Sequence, residues 1–407
     1  MKILISAYSC ETGRGSEGEI GWRIVNALAE RHEVKVITRA NLRPVHEVSF
    51  AETPKPDGLS FEYFDLPWIF RFYKKGKRFF LIYYYLWQIG VAFRARSMLR
   101  QDHTDVLHHL IGGMDWMPAG LSLCPGPFVW GPVGSEDTHP IILRYLPTKS
   151  RLKDCARHSV RWVMRTLDPF TRITGARADI VLSHTPESLP HRYASRLRPF
   201  AQTGIANISS IVQPKSDLAR GDRLRLVYAG ELKDWKGARM ALDAALLAFE
   251  AGVDAELTVI GDGPLRFEME ASVRMHPNGH QVHFLSKVPM DQLLMTLHDS
   301  DLMLYPSFHH GLATIVLQAM LTGLPVVCIE GDATGRAVGQ EAGVTVRLSE
   351  NEAPATGLAQ AIVALAQDEP RRRTLAAAAR RIALERYAYE KLTEKILEVY
   401  QEIVQYK

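Results

Sequence analysis

Backbone amides, glycines, cations and histidines gather at a few places in this 407-residue chain where they could hold an anionic ligand. From Pro306 to Thr322 an apolar segment runs through Ser307, Phe308, His309 and His310 into a helical pattern that starts after Gly311. The first amides of a helix lack intrahelical acceptors and sit at the positive end of its dipole, so backbone alone can trap an anion there. A second stretch, Gly230 to Gly237, places Lys233 and Lys236 in a turn between strand and helix, with Glu231 of opposite sign beside them. The opening loop, Glu11 to Glu19, has glycines at 13, 15 and 18; Gly15 and Ser16 let the backbone approach a phosphate or sugar closely. Its Gly-x-Gly-x-x-Gly spacing is a weak signal alone. His108 and His109 end an apolar strand just before Gly112 and Gly113. His109 is favoured as a proton relay or phosphate contact, against the competing reading of a core histidine.

These loops need strands and helices to position them, and the apolar pattern supplies an alternation of both. Lys2–Ala7, Val34–Thr38, Asp105–His109, Phe128–Gly131 and Ile180–Ser183 read as strands, with helical spacing over Ile20–Arg31 and Phe80–Arg100. Residues 206–223 are polar and turn-rich, a linker. The alternation restarts at Leu224–Ala229 and continues through Ala255–Ile260, Gln281–Leu285, Leu302–Tyr305 and Pro325–Cys328. Helices fall at Ala238–Ala251, Pro289–His298 and Thr314–Thr322, and an amphipathic one closes the chain at Lys391–Tyr406. Short buried strands alternating with helices make an α/β protein with two parallel, doubly wound sheets. The expected domains are 1–205, 224–385, and a terminal helix over 386–407 that packs back on the first.

Hydrophobic content of 46% and charged content of 23% are those of a globular protein with room for two cores. A net charge of +4 is too small to argue for nucleic acid. The charge is unevenly placed: residues 71–100 carry eight Lys or Arg and no Asp or Glu. Lys74-Lys75-Gly76-Lys77-Arg78 beside an aromatic run could rest on anionic lipid headgroups, although its apolar spacing also suits a core helix. Four scattered cysteines show no metal spacing and read as reduced thiols, and no apolar run is long enough to span a bilayer. Asp299-Ser300-Asp301 directly precedes a strand and reads as part of its start; no metal site is expected.

The segment Pro306–Val327 resembles the donor-site signature of glycosyltransferase family 4, retaining enzymes of the GT-B fold that use nucleotide sugars. The shared frame is a strand ending in Pro-Ser, a helix ending in Ala319-Met320, then Gly323-Leu324-Pro325-Val326-Val327. The resemblance implies two Rossmann-like domains facing across a cleft. It assigns the amides of Gly311, Leu312, Ala313 and Thr314 to a phosphate, Lys236 to the diphosphate, and Gly263 in Gly261-Asp262-Gly263-Pro264 to a turn near the nucleotide. Two glutamates eight positions apart in the family fall here on His310 and Gln318, and an arginine falls on Glu231. Gln318 keeps one acceptor for ribose but loses the charge, exchanging a hydrogen bond of ~1.5–3 kcal/mol for one of ~0.5–1.5 kcal/mol. His310, or His309 beside it, would take the place of the carboxylate near the sugar, and Lys233 could replace the missing arginine.

The implied catalytic set is therefore His109, Lys236 and His310, with Gly15, Ser16, Lys233, Gly263, His309, Gly311, Leu312, Ala313, Thr314 and Gln318 binding donor. The expectation is a cytoplasmic hexosyltransferase, peripheral at the inner membrane face. It would move sugar from a nucleotide diphosphate to a glycan or polyprenyl-linked acceptor in exopolysaccharide synthesis, without a cofactor. An inactive GT-B module acting as partner, or a nucleotide-sugar epimerase, are the rival readings.

Overall fold

A computed structural model describes residues 1–13, 16–74, 78–135, 140–145, 147–206, 223–308 and 311–405. The expected linker, 206–223, lies almost wholly outside the described residues, as do His309 and His310. The chain divides into two compact units: Met1–Ser135 with Arg157–Gly204 and Tyr389–Lys407, and Glu136–Ala156 with Ile205–Ala388. Segment 136–156, placed in the first domain from sequence, is thus grouped with the second unit.

The first unit is built on seven parallel strands: β1 (Lys2–Ala7), β2 (Glu33–Arg39), β3 (Leu59–Phe64), β4 (Val106–Ile111), β5 (Phe128–Val133), β6 (Ile180–Ser183) and β7 (Leu197–Pro199). They lie in the order β3-β2-β1-β4-β5-β6-β7. Every residue of β4, β5 and β6 is buried, which is why these strands read as unbroken apolar runs. β3 and β7 escape sequence detection for opposite reasons. β3 is an edge strand whose Glu62 and Tyr63 blur its pattern, and β7 is three residues long and ends in proline.

Six parallel strands make the second sheet: β8 (Leu224–Ala229), β9 (Ala255–Ile260), β10 (Val282–Leu285), β11 (Leu302–Leu304), β12 (Val326–Ile329) and β13 (Gly343–Val346). Their order is β10-β9-β8-β11-β12-β13. In both sheets the winding reverses beside the first strand, between β1 and β4 and between β8 and β11. At such a switch point the loops leaving the carboxyl ends diverge and leave room for a ligand.

The terminal helix Tyr389–Gln405 joins the first unit by burying Leu392, Ile396, Val399, Tyr400 and Ile403. Leu392, Ile396, Val399 and Ile403 recur at the helical spacing that makes this segment amphipathic in sequence, and Tyr400 joins them. Asp301 at the start of β11 is 1% exposed and accepts from the Arg225 backbone N–H at 2.8 Å, holding β11 to β8. Among the described residues no helix is long and apolar enough to cross a membrane.

Candidate functional site

The second unit assembles its loops around the β8–β11 switch point. Tyr228 at the end of β8 stacks on Tyr305 beyond β11, with centroids 6.1 Å apart and planes 14° from parallel. Its hydroxyl donates to the carbonyls of Glu231 at 3.3 Å and Lys236 at 3.2 Å, pinning both ends of the 231–236 turn. The same turn is tied to the segment after β11, because Phe308 N–H donates to Trp235 O at 2.9 Å. Gly237 closes it with φ of +71°, and a Cβ there would stand 1.9 Å from the Pro306 carbonyl oxygen. Only glycine permits both that conformation and that approach. Lys236 is thereby carried beside the chain that leads into the helix Thr314–Leu321.

That helix begins at Ala313, which is extended (φ −85°, ψ 133°) and offers no side-chain cap. An alanine at this position supplies no side-chain acceptor to the helix start, where backbone N–H groups and the helix dipole favour an anion. Gly311 is held by Thr334, whose hydroxyl donates to its carbonyl at 3.3 Å, and Leu312 is buried.

A cavity of about 310 Å³ opens between these loops, lined by Gly230, Glu231, Gly261, Lys287, Ile315 and Gln318 among others. Gln318 reaches it from one turn into the helix, its amide donating to Met290 Sδ at 3.4 Å. Lys287 was not singled out in the sequence, since it follows β10, two strands from the switch point. Its backbone N–H donates to Asp262 Oδ2 at 3.2 Å, and Arg266 grips the other oxygen at 2.8 Å. Gly263 packs against the loop rather than opening onto the cavity. A Cβ there would meet the Leu232 carbonyl oxygen at 2.3 Å, so the glycine serves loop-on-loop packing.

Glu231 does not stand alone as a repelling charge. Its carboxylate accepts from Lys233 at 2.8 Å, and that bond, with Lys236 and Lys287 nearby, holds its pKa below the usual carboxylate value. Lys233 is therefore spoken for: it pairs with Glu231 and lies 5.2 Å from the Trp235 ring centroid. The expected replacement of an arginine by Lys233 becomes a neutralised pair; Lys287 lines the cavity, and Lys236 lies near enough to Glu231 to lower its pKa.

In the first unit Gly13 adopts φ of +73° and its N–H donates to Glu19 at 3.2 Å, folding the opening loop onto its helix. Gly15 and the side chain of Ser16 lie outside the described residues. The two histidines of β4 separate, as neighbours on a strand must, onto opposite faces of the sheet. His108 is satisfied in the core: Nδ1 meets the Tyr400 hydroxyl at 2.6 Å and Nε2 the Gly131 carbonyl at 2.7 Å. His109 is 2% exposed; its Nε2 lies 3.2 Å from the Tyr84 hydroxyl, while Nδ1 has no hydrogen-bond partner among the described residues. Burial lowers the pKa of His108 to about 4 and of His109 to about 3, so both rings are neutral at physiological pH. Tyr84 stands where a Cβ on Gly112 would be, 1.9 Å from its hydroxyl, and so covers His109.

Similarity to known proteins follows the same division. Solved structures match the whole chain in fold: a glycosyltransferase from Rickettsia africae covers 100% of this chain and 99% of its own, with TM-score 0.64 at 12% identity. HepE from Anabaena, solved in complex with UDP, covers 99% and 100% with TM-score 0.61 at 15% identity. Two doubly wound sheets with these neighbours define the GT-B fold. Within it, residues 223–368 match the family model "Glycosyl transferases group 1". Over 99 residues the chain is 34% identical to the 2-deoxystreptamine glucosyltransferase of Streptomyces kanamyceticus. That match covers 24% of this chain and about a quarter (26%) of the relative's length. The second unit is thus similar to the group 1 glycosyltransferases over residues 223–368.

Proposed function

We propose that this protein moves a sugar from a nucleotide-diphosphate donor to a glycan or lipid-linked glycan acceptor in surface or exopolysaccharide synthesis, with retention at the anomeric carbon. The observation that carries the reading is the cavity at the β8–β11 switch point. Gln318 for hydroxyls, Lys287 for charge and Ile315 of the helix's first turn line one opening, and Lys236 lies close enough to act on Glu231 at its wall, the chemistry a nucleoside diphosphate asks for. In this scheme the nucleoside lies against Gly230, Gly261 and Gln318. The diphosphate lies against Lys236 and the amides of Leu312, Ala313 and Thr314. Charge that collects on the leaving diphosphate is stabilised by Lys236 and the helix dipole, and that oxygen draws the acceptor proton. The scheme needs no metal or cofactor. His310 and His309 are assigned to the sugar and Gly15 and Ser16 to the phosphates, from the family frame alone. His109, neutral and covered by Tyr84, would act by holding Tyr84 rather than by touching donor. HepE was solved with UDP and the Streptomyces relative is named a glucosyltransferase, both in keeping with a nucleotide-sugar donor.

We also place the first unit against an anionic membrane. Trp68 is 69% and Phe72 59% exposed, beside Arg71, Lys74 and Arg78, an apolar and basic surface suited to lipid headgroups.

The test is thermal melting of the full chain with UDP, GDP and ADP. One diphosphate should raise the second unit's melting point, since ligand at 100 Kd stabilises by about 2.7 kcal/mol. The matching nucleotide sugar should then be hydrolysed slowly. No response to any diphosphate would refute the reading. Binding with no turnover on any sugar would favour an inactive module, the alternative raised by Glu231, His310 and Gln318.

A further inference from the structure

A second cluster of cations lies at the carboxyl edge of the first sheet. Tyr8 follows β1, Arg39 ends β2 and Asp65 follows β3, so all three stand where open α/β sheets bind ligands. Arg39 donates to the Tyr8 carbonyl at 2.7 Å, and its guanidinium carbon lies 4.5 Å from the Tyr8 ring centroid. Lys74 folds back onto the same tyrosine, donating to its hydroxyl at 3.1 Å, with its ammonium 3.9 Å from the Tyr83 ring centroid. The acids nearby are turned elsewhere or poorly placed. Asp65 pairs with Arg71 at 3.2 Å, and Glu11 lies 3.6 Å from Arg39. Among the described residues no carboxylate lies within ion-pair distance of Lys74. Burial and the Arg39 charge lower its pKa. Two cations held together on aromatic rings, one with no carboxylate, are short of an anion.

The stretch that carries Lys74 also borders an apolar groove of about 450 Å³ along the helix Phe80–Leu99. Phe64, Leu66, Phe70, Leu86, Ile89 and Phe93 form its walls. Tyr83, under Lys74, and Leu86, in the groove, are three residues apart on one helix, about 4.5 Å along its axis. The cations and the apolar trough thus lie along one helix, and Phe93 in the trough wall is 69% exposed.

We propose that Lys74 and Arg39 bind the diphosphate of a prenyl diphosphate lipid whose chain lies in the groove against Phe70, Leu86 and Phe93. This deepens the acceptor side of the reading above and rests on it. The charge excludes a purely apolar partner, and one open apolar trough near one cationic site fits one chain with one anionic head.

The experiment titrates the full chain, held in saturating UDP to occupy the second unit, with farnesyl diphosphate, farnesol and inorganic diphosphate, read by tryptophan fluorescence. Farnesyl diphosphate should bind at least tenfold more tightly than either fragment. Lys74→Gln should reduce its affinity to that of farnesol. Phe70→Asp, at a partly exposed position, should weaken farnesyl diphosphate and farnesol alike but not inorganic diphosphate, with an unchanged melting curve. Equal binding of farnesol and farnesyl diphosphate, or wild-type binding by both variants, would overturn the site. So would binding only to phosphatidylglycerol vesicles, which would mark a bilayer contact instead. Loss of the UDP response with the farnesyl diphosphate response intact would count against the donor reading alone.

Discussion

Lowering the pH from 7.5 to 5.0 tests whether His108 and His109 are held neutral beneath the first unit's ligand edge. In the unfolded chain each ring takes up a proton near pH 6.5, whereas in the folded chain burial holds them at about 4 and about 3. As pH falls below 6.5 the unfolded state binds protons that the folded state refuses. Stability that is complete above pH 6.5 is therefore lost on the way down to about 4. Integrated between pH 7.5 and 5.0, each ring costs about 2 kcal/mol and the pair about 4 kcal/mol. His46, also buried with a lowered pKa, adds in the same direction. Carboxylates with lowered pKa, such as Asp102 and Asp105, lose their contribution only at lower pH, so this window belongs to histidine. Urea unfolding followed by tryptophan fluorescence reports the right unit. Trp22, Trp68, Trp87, Trp116, Trp130 and Trp162 belong to the first unit, and only Trp235 to the second. The tryptophan transition is fitted apart from the far-ultraviolet signal, because two units need not unfold together. His109→Asn should start less stable at pH 7.5 and show a pH dependence smaller by about 2 kcal/mol. A wild-type change below about 1 kcal/mol, or the same pH dependence in the variant, would refute the buried neutral pair.

Three further outcomes bear on the second unit. Glu231→Gln should tighten UDP binding about two- to fivefold in calorimetry at low salt and less at high salt, because it frees Lys233 and removes a negative charge beside the cavity; weaker binding would make Glu231 a ligand group. Gln318→Ala should raise the Kd for UDP about two- to tenfold, the worth of one neutral hydrogen bond, without moving the melting point of the free protein. Gly237→Ala should lower the melting point and abolish UDP stabilisation, since a side chain at φ +71° would strike the Pro306 carbonyl. An unchanged melting curve would show that the 231–237 turn is not clamped as described.

Strand and helix patterns were enough to read two doubly wound sheets, because buried parallel strands appear as apolar runs in any context. Two local features were equally legible as candidate anion-binding turns. They are the 230–237 turn and the 306–322 segment, each local in the chain, and a helix start traps anions through backbone whatever its side chains. What the sequence could not decide was which residues meet across long separations. His108 and His109 are adjacent and chemically alike, and only the return of Tyr400, 292 residues on, makes one a core group and leaves the other under Tyr84. Lys233 could be assigned to phosphate until the turn brought it back onto Glu231. Tyr8, Arg39 and Lys74 come together only because β1 and β2 end at one sheet edge and the stretch after β3 folds Lys74 back onto Tyr8. Local periodicity follows from the burial of each segment, so one chain of letters contains it; the sharing of a charge or a ring between distant loops depends on the register and order of the sheet, which tertiary packing alone establishes.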